Sequence, residues 1–324
     1  MKKIPLLLAI IVAGLTLAGG ATVSARQDVQ ADVKEQIQAL ASPDPVKRAA
    51  AACTLGRMRE RAAPAIPHLV VLLGDGTPIP PPRGCGNEEP FEDEQWEPRY
   101  EQVYEPSPGE AATHALMAIG DPALGALKQT LLGSNWRARK NAAWALAHRG
   151  EAVKELILAL QDPAWQVRAQ AAYALFQRGG ASGEVIEALL VATQDKAWQV
   201  REQAVFALGH KGSGAVDVVP PLIALLKDSR AEIRHGAALA LWHNADGRAF
   251  APLMAALKDE QGKVRAQAAE TLGNRAGDRE VQLLIEARDD PDPKVRAGVR
   301  RALAVIKHRM QGRVTSLRRV PIPD

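Results

Sequence analysis

The sequence predicts an all-α fold, an α-solenoid (a right-handed superhelix) of about eight antiparallel helix pairs. One phrase of acidic turn, Val-Arg, Ala-Ala and Ala-Leu recurs roughly every 30 residues, as in DPAWQVRAQAAYAL at 162–175 and DKAWQVREQAVFAL at 195–208. Within the phrase, apolar residues recur at the spacing of one helix face. A phrase that repeats along a chain is typical of helical units that each pack only against their neighbours.

Each unit is predicted to contain two helices, A and B. When the repeated Arg is numbered 0, positions −1, +3, +6 and +7 are Val or Ile, Ala, Ala and Leu in most copies, which marks the buried stripe of helix B. A Leu-rich segment before each phrase is helix A. Two less regular copies occur at 32–56 and at 110–120, where Gly109 replaces the expected Arg. The predicted array covers residues 26–309, and a basic tail follows at 310–324.

The first residues have the pattern of a secretory signal. Lys2 and Lys3 precede an apolar run, and small residues lead to Ala25. We therefore predict a signal peptide over 1–25, cleaved near Ala25, and a periplasmic or secreted protein; an uncleaved membrane anchor is the alternative. The formal net charge is +4, but charges of both signs are interleaved, so no nucleic-acid partner is predicted.

The Asp at position −6, the Val-Arg pair, the Ala-Ala pair and the Ala-Leu-Gly endings resemble the HEAT-repeat family. The resemblance is to the short repeats of phycobilisome-lyase-like proteins, in an exported, bacterial type of chain. It implies a solenoid whose B helices line a concave groove. Fold resemblance of this kind says almost nothing about activity.

Repeated charges predict a structural ladder. The Asp lies in the turn between helices A and B and the Arg lies early in helix B, so adjacent units can exchange charge-assisted hydrogen bonds. The Asp can also cap the helix. The ladder residues are Asp162, Arg168, Asp195, Arg201, Asp228, Arg234, Asp259, Arg265, Asp290 and Arg296.

Aromatic residues fall in three columns, at positions −3, +5 and +8. Position +5 lies on the open face of helix B, whereas position −3 belongs to the turn. We predict that these rings line the groove and anchor a polypeptide, because aromatic side chains are favoured binding hot spots. The alternative is that they pack between turns and between adjacent B helices. The candidates are Trp136, Trp144, Trp165, Tyr173, Phe176, Trp198, Phe206 and Trp242.

An insert at 75–107 interrupts the second pair. It is rich in Pro and Gly, holds nine acidic and two basic residues, and carries Phe91, Trp96, Tyr100 and Tyr104. It could shield the groove or itself grip a basic partner. Cys53 and Cys85 are the only cysteines; a disulfide between them and two free thiols both remain open.

No catalytic, cofactor-binding or metal-binding residue is predicted. Deoxyhypusine hydroxylase, a HEAT-type enzyme, holds iron with His-Glu pairs, but none of the seven histidines here precedes a Glu. His148, His210 and His243 share position +9, where interaction with a helix C-terminus is expected. We therefore predict a non-enzymatic scaffold that binds a polypeptide partner; a lyase-like or hydroxylase-like enzyme is the alternative.

Overall fold

The computed structural model describes residues 30–80, 106–147, 152–178, 182–211, 216–244, 246–275 and 278–317. These ranges contain α-helices and short 3₁₀ segments and no strand. The helices are α1 (30–39), α2 (Pro45–Met58), α3 (Ile66–Leu72), α4 (Pro108–Ile119), α5 (Leu124–Thr130), α6 (Trp136–Ala147), α7 (Val153–Ala159), α8 (Trp165–Arg178), α9 (Gly183–Ala192), α10 (Trp198–Lys211), α11 (Val219–Leu225), α12 (Ala231–Asn244), α13 (Phe250–Ala256), α14 (Gly262–Arg275), α15 (Asp278–Glu286) and α16 (Pro293–Leu317).

The chain divides into two compact units, and the described part of the first holds three helix pairs. Each pair joins a shorter helix A to a longer helix B, namely α1 to α2, α3 to α4 and α5 to α6. A 3₁₀ segment, Arg59–Ala65, leads into α3, and B helices α2 and α4 pack together. The buried alanines of α2 and α4, including Ala52 and Ala112 with no exposed surface, allow this close packing.

The described part of the second unit holds five helix pairs, from α7 and α8 to α15 and α16. Its B helices pack in chain order, α8 on α10, α10 on α12, α12 on α14 and α14 on α16. Each helix A packs on its own helix B. With the three pairs of the first unit, the described ranges contain eight pairs, which confirms the predicted all-α solenoid.

Glycine at position +8 lets neighbouring B helices approach closely. A Cβ added at Gly209 would lie 3.1 Å from the Cα of Ala240, and one added at Gly273 would lie 2.4 Å from the Cα of Ala302. The contact at Gly273 leaves no room for a side chain, and the contact at Gly209 is tighter than most Cβ contacts. In these two copies the Gly of the Ala-Leu-Gly ending therefore permits close packing.

The missing Arg at position 109 also has a steric cause. The amide of Gly109 donates a hydrogen bond to the carbonyl of Asp75, and an added Cβ would lie 2.7 Å from that oxygen. The amide of Ile79 likewise donates to the carbonyl of Pro106. The described ends of the insert are thus pinned together by backbone hydrogen bonds, and only glycine fits where they meet.

Helix boundaries differ from the sequence prediction in two places. Trp136, Trp165 and Trp198, assigned to the turn by sequence, are each the first residue of a B helix. The final helix continues to Leu317, into the predicted tail. No helix within the described ranges is long and apolar enough to cross a membrane.

Candidate functional site

The repeated Arg and Asp residues are brought together as an Arg–Asp ladder along the turns. Arg168 Nε and Nη2 donate to the two carboxylate oxygens of Asp195 at 2.6 and 2.8 Å. The Nη1 of Arg168 donates to the carbonyls of Asp162 and Pro163 in its own turn. The same bidentate arrangement joins Arg201 to Asp228, Arg234 to Asp259 and Arg265 to Asp290.

Each ladder Asp also orders its own turn. Asp195 Oδ1 accepts a hydrogen bond from the amide of Ala197. Burial raises the pKa of Asp195, but hydrogen bonds from Arg168 and Ala197 and the charge of Arg168 hold that pKa below its usual value. We call each Arg–Asp pair a rung of the ladder. The hydrogen-bonding groups of this rung have partners within the chain, so the ladder serves to hold adjacent repeats together.

One rung was missed by the sequence analysis. Arg48 Nε donates to Asp75 at 2.8 Å, across 27 residues, the same separation as between Arg168 and Asp195. Asp75 was assigned to the insert, although its side chain accepts from the amide of Thr77 as a turn Asp does. The 27-residue separation is the signal that could have identified it.

A second surface, here called the B-helix face, is formed by positions −2, +1, +5 and +8 of the B helices. In α8 and α10 it carries an aromatic cluster of Tyr173, Phe176 and Phe206. The rings of Phe176 and Phe206 meet edge to face with centroids 4.6 Å apart, and Tyr173 lies 6.3 Å from Phe176. All three side chains are half-buried. They therefore pack across adjacent B helices and still present surface to solvent.

The other predicted aromatic residues are not part of this cluster. Trp165 packs against the buried apolar cluster that includes Val200 and Ala204. Trp136 and Trp198 lie under guanidinium groups, at 4.6 Å from Arg137 and 4.3 Å from Arg230, which is the geometry of a cation–π contact.

In the first unit, Trp144 meets His114 edge-on, with centroids 5.0 Å apart. Lys140 lies one turn before Trp144 on the same helix, and burial lowers its pKa against the opposing charge of Glu110. Trp242, at position +8 of α12, is half-buried. The eight predicted rings therefore lie in several local environments, and Tyr173, Phe176 and Phe206 form a continuous cluster.

A small cavity lies between α10 and α12, beside the aromatic cluster. Its volume is about 80 Å³, and it is lined by Val205, Phe206, Gly209, Gly236, Leu239, Ala240 and His243. Two of its lining residues, Gly209 and Gly236, lie where the helices approach closely, since a Cβ added at either would lie 3.1 Å from the neighbouring helix. Engineered cavities of about 150 Å³ accept benzene, so this one has room for a small aliphatic group.

Sequence reasoning missed Glu202, at position +1 of α10. Its Oε2 is buried and has no hydrogen-bond partner. Burial, and then repulsion from Glu232, raise the pKa of Glu202 to about 7, against the opposing charges of Arg230 and Lys263. No sequence signal marks it, because position +1 is Lys, Ala, Glu, His and Ala in successive B helices from α6 to α14.

The charged groups around Glu202 have partners of their own. Lys263 Nζ donates to Glu232 at 2.8 Å, and Arg230 lies 3.5 Å from the same carboxylate. Farther along the face, Arg301 pairs with Glu270. His235, also at position +1, has its pKa lowered to about 4 by burial and by the charge of Lys263. His235 is therefore neutral at pH 7.

Cys53 is disulfide-bonded, and Cys85 is the only other cysteine of the chain. Cys53 occupies position +5 of α2, counted from Arg48. Several residues named in the sequence analysis lie outside the described residues. They are Cys85, the four aromatic residues of the insert, the segment 1–29, residues 318–324, His148 and the side chain of His210. Within the described ranges, no group of three or more His, Cys, Asp or Glu side chains could hold a metal ion.

The repeat units have known relatives. The sequence profile of HEAT repeats matches residues 124–209, 153–229, 186–246 and 219–304, which together cover more than half of the chain. The chain belongs to the HEAT-repeat family. The predicted family is thereby confirmed. No curated protein sequence matches this HEAT-repeat chain significantly.

Solved structures share the solenoid fold at low sequence identity. The Escherichia coli protein YibA is similar, with a TM-score of 0.52 and 21% identity over 67% of this chain and 82% of that chain. Kap121p gives a TM-score of 0.62 at 13% identity, over 87% and 34%. Kap95 in complex with Nup1 gives 0.57 at 16%, over 84% and 41%. The chain thus spans less than half the length of these two Kap proteins.

Proposed function

We propose that this protein is a non-enzymatic interaction module that binds a polypeptide partner on the B-helix face of α8, α10 and α12. The aromatic cluster of Tyr173, Phe176 and Phe206 carries the proposal. Half-exposed aromatic rings next to an apolar cavity are the arrangement that supplies binding hot spots. The hydrogen-bonding groups of the ladder already have partners within the chain, so the B-helix face is the better candidate for binding another molecule.

The structural neighbours favour a protein partner. Kap95 is a solenoid with the same fold, and it forms a complex with Nup1. The enzyme alternative has less support, because the chain has no His-Glu pair and the described residues offer no cluster of metal ligands.

We further propose that the protein acts outside the cytosol, in the periplasm or after secretion. The signal-like pattern of residues 1–25 and the disulfide at Cys53 support this location, because disulfides persist in oxidising compartments. An N-terminal sequence of the protein purified from its native host tests cleavage near Ala25. Retention of Met1 or Lys2 would favour the uncleaved anchor.

Selection from a phage-displayed library of random dodecapeptides tests the binding function. We expect the wild-type protein to enrich a sequence family, and the double variant Y173A/F206A to lose that enrichment. The matched control is L158A/V191A, which removes two exposed apolar side chains from A helices α7 and α9. Equal enrichment by all three proteins would reject the B-helix face as the binding surface.

A further inference from the structure

The groove between α10 and α12 has an apolar end and a polar end. Phe206 lines the cavity, and Glu202 precedes it by four residues on α10. Residues four apart lie on the same face of a helix, one turn or about 5 Å along its axis. An apolar cavity and a buried carboxyl group therefore lie one helical turn apart in one groove.

The polar end contains a hydrogen-bond acceptor that has no donor. Glu202 is half-buried, and its Oε2 is buried without a hydrogen-bond partner. A buried acceptor without a donor is costly. An ammonium group offers three donors and a guanidinium group five, and neither accepts. A cationic side chain is the group whose chemistry complements an acceptor that lacks a donor and carries a negative charge.

The fold itself does not need a carboxyl group at this position. Position +1 is Ala169 in α8 and Ala266 in α14, and both helices also pack on neighbouring B helices. The nearby cations Lys263 and Arg230 act on Glu202 through their charge alone, because their direct ion pairs are made to Glu232. Glu202 is thus a charged group that stacking does not explain.

We propose that the α10–α12 groove recognises a polypeptide segment in which a Lys or Arg side chain lies close to an apolar side chain. Glu202 receives the cation, and the cavity beside Phe206 receives the apolar group. This inference rests on the proposed function and specifies the chemistry of the partner.

The proposal gives binding a characteristic pH dependence. The pKa of Glu202, about 7, is set by burial and by the charges of Glu232 on α12, Lys263 on α14 and Arg230 before α12. His235 on α12 has a pKa of about 4 and is neutral over this range. Only the ionised form of Glu202 attracts a cation. The ionised fraction rises about tenfold between pH 6 and pH 8, so affinity rises with pH over the same interval.

The test uses the dodecapeptide selected by the wild-type protein and a copy in which its basic residue is replaced with Gln. Affinities are measured by fluorescence polarisation at pH 6 and pH 8. We expect the basic peptide to bind the wild type about tenfold more tightly at pH 8 and to bind E202Q equally at both pH values. E187Q, the same change at an exposed position of α9, keeps the wild-type dependence.

The possible outcomes separate this inference from the proposed function. A selected family without a basic residue, or an affinity for the basic peptide that E202Q leaves unchanged at pH 8, overturns the cation site while the aromatic face stands. No enrichment of any peptide overturns both. Circular dichroism of E202Q checks that the helices are retained.

Discussion

The Arg–Asp ladder and the B-helix face run along the same helices of the second unit, but they differ in whether their buried polar groups have hydrogen-bond partners. On the ladder, Arg234 reaches both oxygens of Asp259 and the carbonyls of its own turn. On the B-helix face, the half-buried Glu202 has a buried oxygen without a hydrogen-bond partner. Folding therefore supplies hydrogen-bond partners for the charged groups of the ladder, whereas it leaves an oxygen of Glu202 without one.

The B-helix face itself changes along the unit. Position +5 is Tyr173 and Phe206 in α8 and α10, Leu239 in α12, and then Glu270 and Arg301, which pair with each other. The charged end is paired within the chain. The aromatic end is half-exposed and lies beside an apolar cavity, which is why we assign binding to α8, α10 and α12.

Breaking one rung of the ladder gives the largest expected effect. Arg234→Ala removes five hydrogen bonds and leaves the half-buried carboxylate of Asp259 without its cation, so we expect a loss of about 3 kcal/mol in the free energy of unfolding. Urea denaturation followed by circular dichroism measures it. Arg248→Ala is the control, because that Arg also pairs with two carboxylates but on the exposed surface; an equal loss in both variants would contradict a special role for the ladder.

On the B-helix face, removing a charge is expected to stabilise the protein. The folded-state pKa of Glu202 lies above its unfolded value, so ionisation opposes folding as pH rises from about 4.5, and the full cost applies above pH 7. Glu202→Gln should therefore raise the free energy of unfolding by on the order of 2 kcal/mol at pH 8 and by much less at pH 5. Urea denaturation at the two pH values measures the difference, and E187Q should show none. A loss of stability at pH 8 would mean that Glu202 has a structural partner.

The smallest effect is expected at the charged end of the face. Glu270→Gln removes an ion pair in which Arg301 is 65% exposed, and exposed pairs contribute about 0 to 1 kcal/mol. Peptide affinity should be unchanged, because the pair lies outside the groove between α10 and α12. A tenfold loss of affinity in E270Q would extend the binding surface to α14 and α16.

The sequence predicted the repeat architecture well because periodicity reports directly on which residues are buried. Ala171 and Leu175 are fully buried, as their places in the phrase require. The same periodicity located the aromatic columns. It could not show which rings pack together, since the environment of Trp165 or Trp198 depends on residues of other helices. The sequence pattern did not explain why Gly109 replaces the repeated Arg. Its contact with the carbonyl of Asp75 does.

Glu202 lay beyond sequence reasoning for a physical reason. Its altered pKa arises from burial between adjacent helices and from Glu232, 30 positions away on another repeat. Neither distance nor solvent exclusion follows from spacing within one helix. The residue types at position +1 therefore gave no signal. What distinguishes Glu202 is that its Oε2 has no hydrogen-bond partner, and this depends on the neighbouring helices.

The most direct test of the account is the affinity of E202Q for the selected basic peptide at pH 8, measured by fluorescence polarisation against the wild type. The account predicts binding at least tenfold weaker, in a variant that is more stable than the wild type. Equal affinity of the two proteins would contradict the claim that the unsatisfied B-helix face exists to receive a cationic partner.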